Sequence, residues 1–177
     1  NGSTFAGPSL WPGNMDIYAM VGDPPTPQIN GSHLDMVHQS PYSMGICHEV
    51  DNIFWVSDGY NENLVRYDFQ EPHYPGGADH SDAIIERYMD ATFTREPGVP
   101  SHLIYDKNSG YIYYVDGGND RIMRLNIFSG NSGLAGQLNQ SFVAEALAAY
   151  YENVGSQVVT YIDSGLNQPS GIDFHDG

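Results

Sequence analysis

PSHLIYDKNSGYIYYVDGGNDRIMRLN, residues 100–126, decides the fold, because SMGICHEVDNIFWVSDGYNENLVRYDF, residues 43–69, carries the same pattern without a gap. Ser43 falls on Ser101, a step of 58, and the same step carries Ile46 to Ile104 and Asp58-Gly59 to Asp116-Gly117. It also carries Asn61 to Asn119 and Arg66 to Arg124, with Phe54-Trp55-Val56 over Ile112-Tyr113-Tyr114 and Leu64-Val65 over Ile122-Met123. Pro169-Ser170-Gly171-Ile172-Asp173 begins a third copy, lying over Pro100-Ser101-His102-Leu103-Ile104. A repeat of this kind has to be found before any other feature, since each unit leaves an apolar face that only its neighbour buries.

Within each unit, short runs rich in aromatic and β-branched residues are broken by Asp-Gly, Gly-Gly-Asn and Ser-Gly turns. The runs predict strands at 43–49, 52–58, 63–70 and 83–94 in the first unit, and at 101–106, 110–116, 121–128 and 157–163 in the second. Four antiparallel strands per unit, in repeats longer than about forty residues, is the arrangement of a β-propeller blade. The second copy resembles the NHL repeat, whose pattern runs Pro-x-x-Ile-x-x-Asp, then Gly-x-Ile-Tyr-x-x-Asp-x-x-Asn-x-Arg-Ile-x-x-Leu. The first copy is similar but looser. GPSLWP, GSHLDMVHQSP, DGYN, RYDF and GVPSH are similar to strings in secreted NHL-like proteins, a resemblance that implies no settled activity.

The expected fold is therefore all-β: a partial NHL-like β-propeller of two four-stranded blades and the start of a third, with one inserted helix. Residues 1–40 are a Pro/Gly-rich lead-in, whose strand-like run at 15–21 suits the outer strand of a preceding blade. Blades are expected at 41–99 and 100–168, with 169–177 as the first strand of the next, where the sequence stops. An insertion at 70–82 carries PHYPGGADHSD, and a second, at 141–155, contains FVAEALAAYYENVG. The latter predicts a helix with Ala144, Leu147, Ala148 and Tyr151 on one face and Gly155 at its end. Two blades and a fragment cannot close a ring. The rest is expected to be missing from this sequence or supplied by other chains, including further copies.

The net charge is −16, with Lys107 the single lysine beside five arginines. That excludes nucleic acid and anionic membranes as partners, since both need clustered cations. No run is long enough to span a membrane. Cys47 is the one cysteine, so no internal disulfide or cysteine-based zinc module is possible, and its place in an apolar run predicts a buried, inert thiol. The opening Asn1-Gly2-Ser3 reads as an internal or processed point, so no signal peptide is expected within these residues. Sequons at Asn1, Asn30 and Asn139, with the acidity, favour an extracellular, secreted protein with glycans at those positions.

No phosphate loop, nucleophile elbow, HExxH or EF-hand pattern is present. Histidine stands out instead, with seven. On a propeller, His33, His38 and His102 belong to one face, with Asp58 and Asp116, while His48, His73 and His80 belong to the other. The 58-residue step sets His48 over Asp106, and the third copy adds His175 to that ring position. Imidazoles and carboxylates converging near an axis suit zinc or copper, and the acidic loops suit calcium. Asp58, Asp116, Asn61 and Asn119, recurring in each unit, read as turn-building residues that bond backbone amides. Arg66 and Arg124 likewise read as inter-strand or inter-blade partners.

Two functions are expected from different classes. One is an extracellular module that binds protein or glycan partners, or assembles with other propeller pieces. The other is a metal-dependent lyase or hydrolase with a histidine-lined centre. The peptidylglycine amidating lyases, which the resemblance brings in, hold zinc near the axis with histidines that follow a proline. Here Pro100-Ser101-His102 is displaced by one residue, and Met44 and Gly171 replace His102 in the other copies, so lyase activity is not carried over.

Overall fold

The computed structural model describes residues 8–11, 13–16, 35–37, 39–40, 42–71, 81–136 and 147–175. The molecule is all-β, with three sheets. In the first unit β3 (Ser43–Val50), β4 (Ile53–Asp58), β5 (Asn63–Asp68) and β6 (Ile84–Thr92) run as an antiparallel meander. The second repeats it with β7 (Leu103–Asp106), β8 (Tyr111–Asp116), β9 (Arg121–Asn126) and β12 (Val158–Ile162). A small antiparallel pair, β1 (Ser9–Leu10) with β2 (Asp35–Met36), stands before them. Residues 15 and 16 form a turn, and 17–21 lie outside the described residues.

The chain between β9 and β12 leaves the second unit and extends the first. There β10 (Asn131–Leu134) pairs with β11 (Ala149–Val154), which lies parallel on the outer edge of β6, so the first sheet has six strands. The helix expected at 141–155 is thereby corrected over its described part: residues 149–154 are a strand, and 141–146 lie outside the described residues. Helix propensity summed over alanines loses here to the unpaired backbone of β6, which β11 satisfies. Tyr150 and Asn153 turn inward on β11 while Val154 stays exposed.

Alternation along the strands gives each sheet two apolar faces, and the faces stack. One face of the first unit (Trp55, Leu64, Tyr88, Ala91, Phe93) packs on Leu103, Ile112, Tyr114, Met123 and Leu125 of the second. The first unit's other face (Val56, Val65, Tyr67, Phe69, Ile85), extended by Tyr150 of β11, packs against Leu10, Val37 and Leu147. The second unit's other face holds Tyr113, Val115 and Ile122, against which Leu166 and Ile172 pack. At about 25 cal/mol per Å² of apolar area, these contacts are the main term holding the two sheets together.

The register of the innermost strand differs between units. β3 is irregular after Ser43 and again after His48, so Cys47 lies opposite Trp55 and His48 opposite Phe54. In the second unit Ile104 lies opposite Tyr113 and Tyr105 opposite Ile112. His48 therefore stands where Tyr105 does. The ungapped 58-residue match that set it over Asp106 slips by a residue at the bulge, because a bulged strand spends a residue without advancing the ladder.

Candidate functional site

Each unit carries a buried aspartate at the end of its second strand, and both are 0% exposed. In the first, Asp58 Oδ1 accepts the backbone N–H of Tyr60 at 2.9 Å, and its Oδ2 accepts Asn61 Nδ2 at 2.6 Å. In the second, Asn119 Nδ2 donates to both oxygens of Asp116, each at 3.0 Å, and Thr94 N–H, from the linker between the units, donates to Oδ1 at 2.8 Å. The residue at the turn's end takes a left-handed conformation in both, Glu62 at φ 56 and Asp120 at φ 52. Each then accepts a backbone N–H from the linker that follows its unit: Arg95 onto Glu62 Oε1 and Gln168 onto Asp120 Oδ1.

The counter-charge comes from different strands. Asp58 is paired by Arg87 of β6 at 2.8 Å, and that guanidinium is itself 1% exposed. Arg87 also donates to Asn63 Oδ1, to Gln39 carbonyl oxygen at 2.9 Å and to Tyr150 Oη at 3.1 Å. Asp116 is paired at 2.7 Å by Arg121, which is 34% exposed. In the ladders Arg121 holds the place of Asn63, and Thr160 holds the place of Arg87. One cation has moved from the fourth strand to the third, and the pairing survives. Arg87 is the residue that the repeat pattern missed. Its signal was a charge alternating with Ile85 on a core-facing row, which demands a buried partner.

A second row crosses the opposite face. In the first unit it runs Cys47, Trp55, Arg66 and Glu86; in the second, Ile104, Tyr113, Arg124 and Val159. Arg66 donates to both carboxylate oxygens of Glu49, at 2.8 and 2.9 Å, and Trp55 Nε1 donates to Glu49 Oε2 at 2.5 Å. Burial works against the Glu49 charge, but these donors hold its pKa below the ordinary value. Arg124 has rings instead of a carboxylate, with Tyr111 at 4.8 Å and Tyr161 at 5.5 Å from its guanidinium carbon. Among the described residues its buried Nε finds no hydrogen-bond acceptor.

Of the proposed metal ligands, His48 and His102 are described and both are exposed. His48 Nε2 lies 2.9 Å from Asp51 carbonyl oxygen, with its ring 5.2 Å from that of Phe54. His102 bonds through its backbone, donating to Ser170 carbonyl oxygen and accepting from Val115. His33, His38, His73 and His80 lie outside the described residues, as do Asn1, Asn30 and Asn139. Among the described residues no three His, Cys, Asp or Glu side chains come together as a metal-binding group. Burial, with the charge of Glu49, pushes the Cys47 thiol up to about 12, so at neutral pH it is neither nucleophile nor ligand.

One apolar cavity of about 310 Å³ opens on the first unit, between Leu10, Val37, Met44, Ile46 and Val56. Ile46 is exposed there, whereas Leu103, which holds its place in the second ladder, is buried between the units. What the described geometry offers is thus a pair of stacked sheets with apolar and aromatic surfaces at either end. No helix among the described residues is long and apolar enough to cross a membrane. Comparison with protein-family models, with curated proteins and with solved structures found no match to this chain.

Proposed function

We propose that the chain is part of an extracellular NHL-type β-propeller that serves as a binding and assembly scaffold. The observation that carries this reading is the serial stacking of its repeats. One face of the first meander is buried by the opposite face of the second, and the same Asp-containing turn recurs at the same corner of each. Blades of a propeller stack in that manner around an axis. The buried polar groups of the repeat also support it: Asp58, Asp116, Arg87 and Glu49 are engaged with partners inside the chain, which is the chemistry of a scaffold. The acidity and the three sequons support the extracellular setting.

Two measurements test it. Protein recovered from secreting cells is expected to lose mass on enzymatic release of N-glycans at Asn30 and Asn139; unaltered mass in protein retained inside the cell removes the extracellular setting. Purified protein is expected to leave ester, lactone and peptidyl-hydroxyglycine substrates untouched, with or without added zinc or copper. Metal-dependent turnover lost in His102→Ala replaces the scaffold by an enzyme.

A further inference from the structure

We propose that the open face of the second unit, centred on Arg124, Tyr113 and Tyr161, is the docking surface for a further four-stranded unit of the same repeat, whose first strand is begun by residues 169–175. The inference rests on the serial-stacking reading above and names the occupant of one face.

Two side-chain contacts of the first interface recur at this face, beside a backbone bond to the same serine of the repeat. Between the units, Ser101 N–H donates to Met44 carbonyl oxygen; beyond the second, His102 N–H donates to Ser170 carbonyl oxygen. Ser170 is the third copy of Ser101, so a backbone bond ties that serine to the preceding unit at both interfaces, donating at the first and accepting at the second. Leu103 packs into the cluster of Trp55 and Leu64, as Ile172, its third copy, packs into the cluster of Tyr113 and Ile122. Tyr105 packs on the Trp55 cluster, and Phe174, its third copy, sets its ring 5.5 Å from that of Tyr113. Residues 169–175 belong to no strand of this structure, yet they sit where an innermost strand sits.

The remainder of the face is built for cover that residues 169–175 do not provide. Leu64 and Tyr88 are buried at their positions in the first unit, but Ile162, opposite Ile122, is 41% exposed, and Tyr161 and Phe174 are 53% and 47% exposed. Arg124, half-buried, lies against the rings of Tyr111 and Tyr161, which leaves a cationic group at the open face for an acceptor on the covering unit. The first unit's own far face is a poorer match for this cover, because Leu10, Val37 and Leu147 already pack on part of it. Continuity of the repeat therefore favours a new unit over a second copy of the chain.

The test compares the 177-residue chain with a chain in which residues 1–168 are followed by a second copy of residues 100–177. Hydroxyl-radical modification of Tyr161 is expected to fall about tenfold in the extended chain, as for a side chain passing from open to cooperatively protected structure. Unchanged modification of Tyr161 in a folded extended chain overturns the proposal. So does a 177-residue chain that sediments as a dimer with Tyr161 already protected, which would make a second copy the occupant. Should the extended chain not fold, the double variant Tyr161→Ser with Ile162→Ser in the 177-residue chain decides. It is expected to keep its Tm and lose the binding of an apolar-surface dye, and a fall in Tm as large as that of Trp55→Ala overturns the proposal. Metal-dependent turnover would remove the scaffold function and leave this docking untouched, whereas loss of docking would leave the non-catalytic reading standing.

Discussion

The two units solve one electrostatic problem in two ways. Each must neutralise an aspartate that is 0% exposed at its turn. The first uses Arg87, a fully buried cation on its outermost strand, bonded also to the segment before the unit and to the inserted strand β11. The second uses Arg121, half-exposed and on the neighbouring strand, and among the described residues its aspartate is bonded only within its own turn and to the linker. The difference shows that the turn and its aspartate are the constant of the repeat, while the cation is free to move to any position within reach. It also makes the first unit a hub: three separate segments converge on one guanidinium.

The largest effect should come from breaking that hub. Arg87→Ala is expected to cost about 3–5 kcal/mol in chemical denaturation, because Asp58 stays buried with its charge uncompensated. Arg121→Ala should cost about 1–3 kcal/mol, since Asn119 and the Thr94 amide still serve Asp116 and water reaches the site. Equal costs would abolish the distinction between the units. Moving the first unit's cation to the second unit's position sharpens it: Asn63→Arg added to Arg87→Thr should recover part of the stability lost in Arg87→Thr alone.

The opposite row separates the units by pH. The Glu49 pKa is lowered in the folded chain from an ordinary value of 4.5, so its contribution is present above that value and lost as pH falls through the folded one. As pH falls below the ordinary value of 4.5 the parent should lose more stability than Glu49→Gln, by about 1–2 kcal/mol for charge-assisted bonds of this kind. Arg124→Ala should leave the pH profile unchanged, because no carboxylate among the described residues is bonded to that guanidinium. Parallel profiles for the parent and Glu49→Gln would show that the pair contributes nothing.

Edge protection gives a further comparison. β6 is capped by β11, and Tyr150→Phe, which removes the hydroxyl bonded to Arg87, should cost about 1 kcal/mol. In hydrogen exchange the amides of β6 are expected to be slower than those of β12, whose outer edge pairs with no strand among the described residues. The smallest effect is at Cys47: with its thiol pushed up to about 12, alkylation at pH 8 should be far slower in the folded chain than in the unfolded one. Rapid labelling of the folded chain would place the thiol outside the interface.

Much of the scaffold was legible beforehand. Strands in both units fall where aromatic and β-branched runs end in Asp-Gly or Gly-Gly-Asn turns, because those features act over a few residues. The failures have a common cause. The residues around 149–154 read as helix from their own composition, and only the vacant edge of β6, more than fifty residues away in the chain, makes them a strand. The alignment of His48 with Asp106 failed because a bulge adds a residue without leaving a mark in the ungapped repeat. Arg87 went unremarked because its partners come from Asp58, Gln39 and Tyr150, whose proximity no local pattern encodes.

By itself, then, the sequence determined the repeat, the strands of each unit and the invariant aspartate turn, since periodicity and turn chemistry are local properties of the chain. Only the tertiary structure decided which cation answers each aspartate, which edge the insertion covers and which face of the second unit is left open. Those outcomes depend on the charge, hydrogen-bonding and apolar groups that distant segments bring together, and burial makes their mutual satisfaction compulsory.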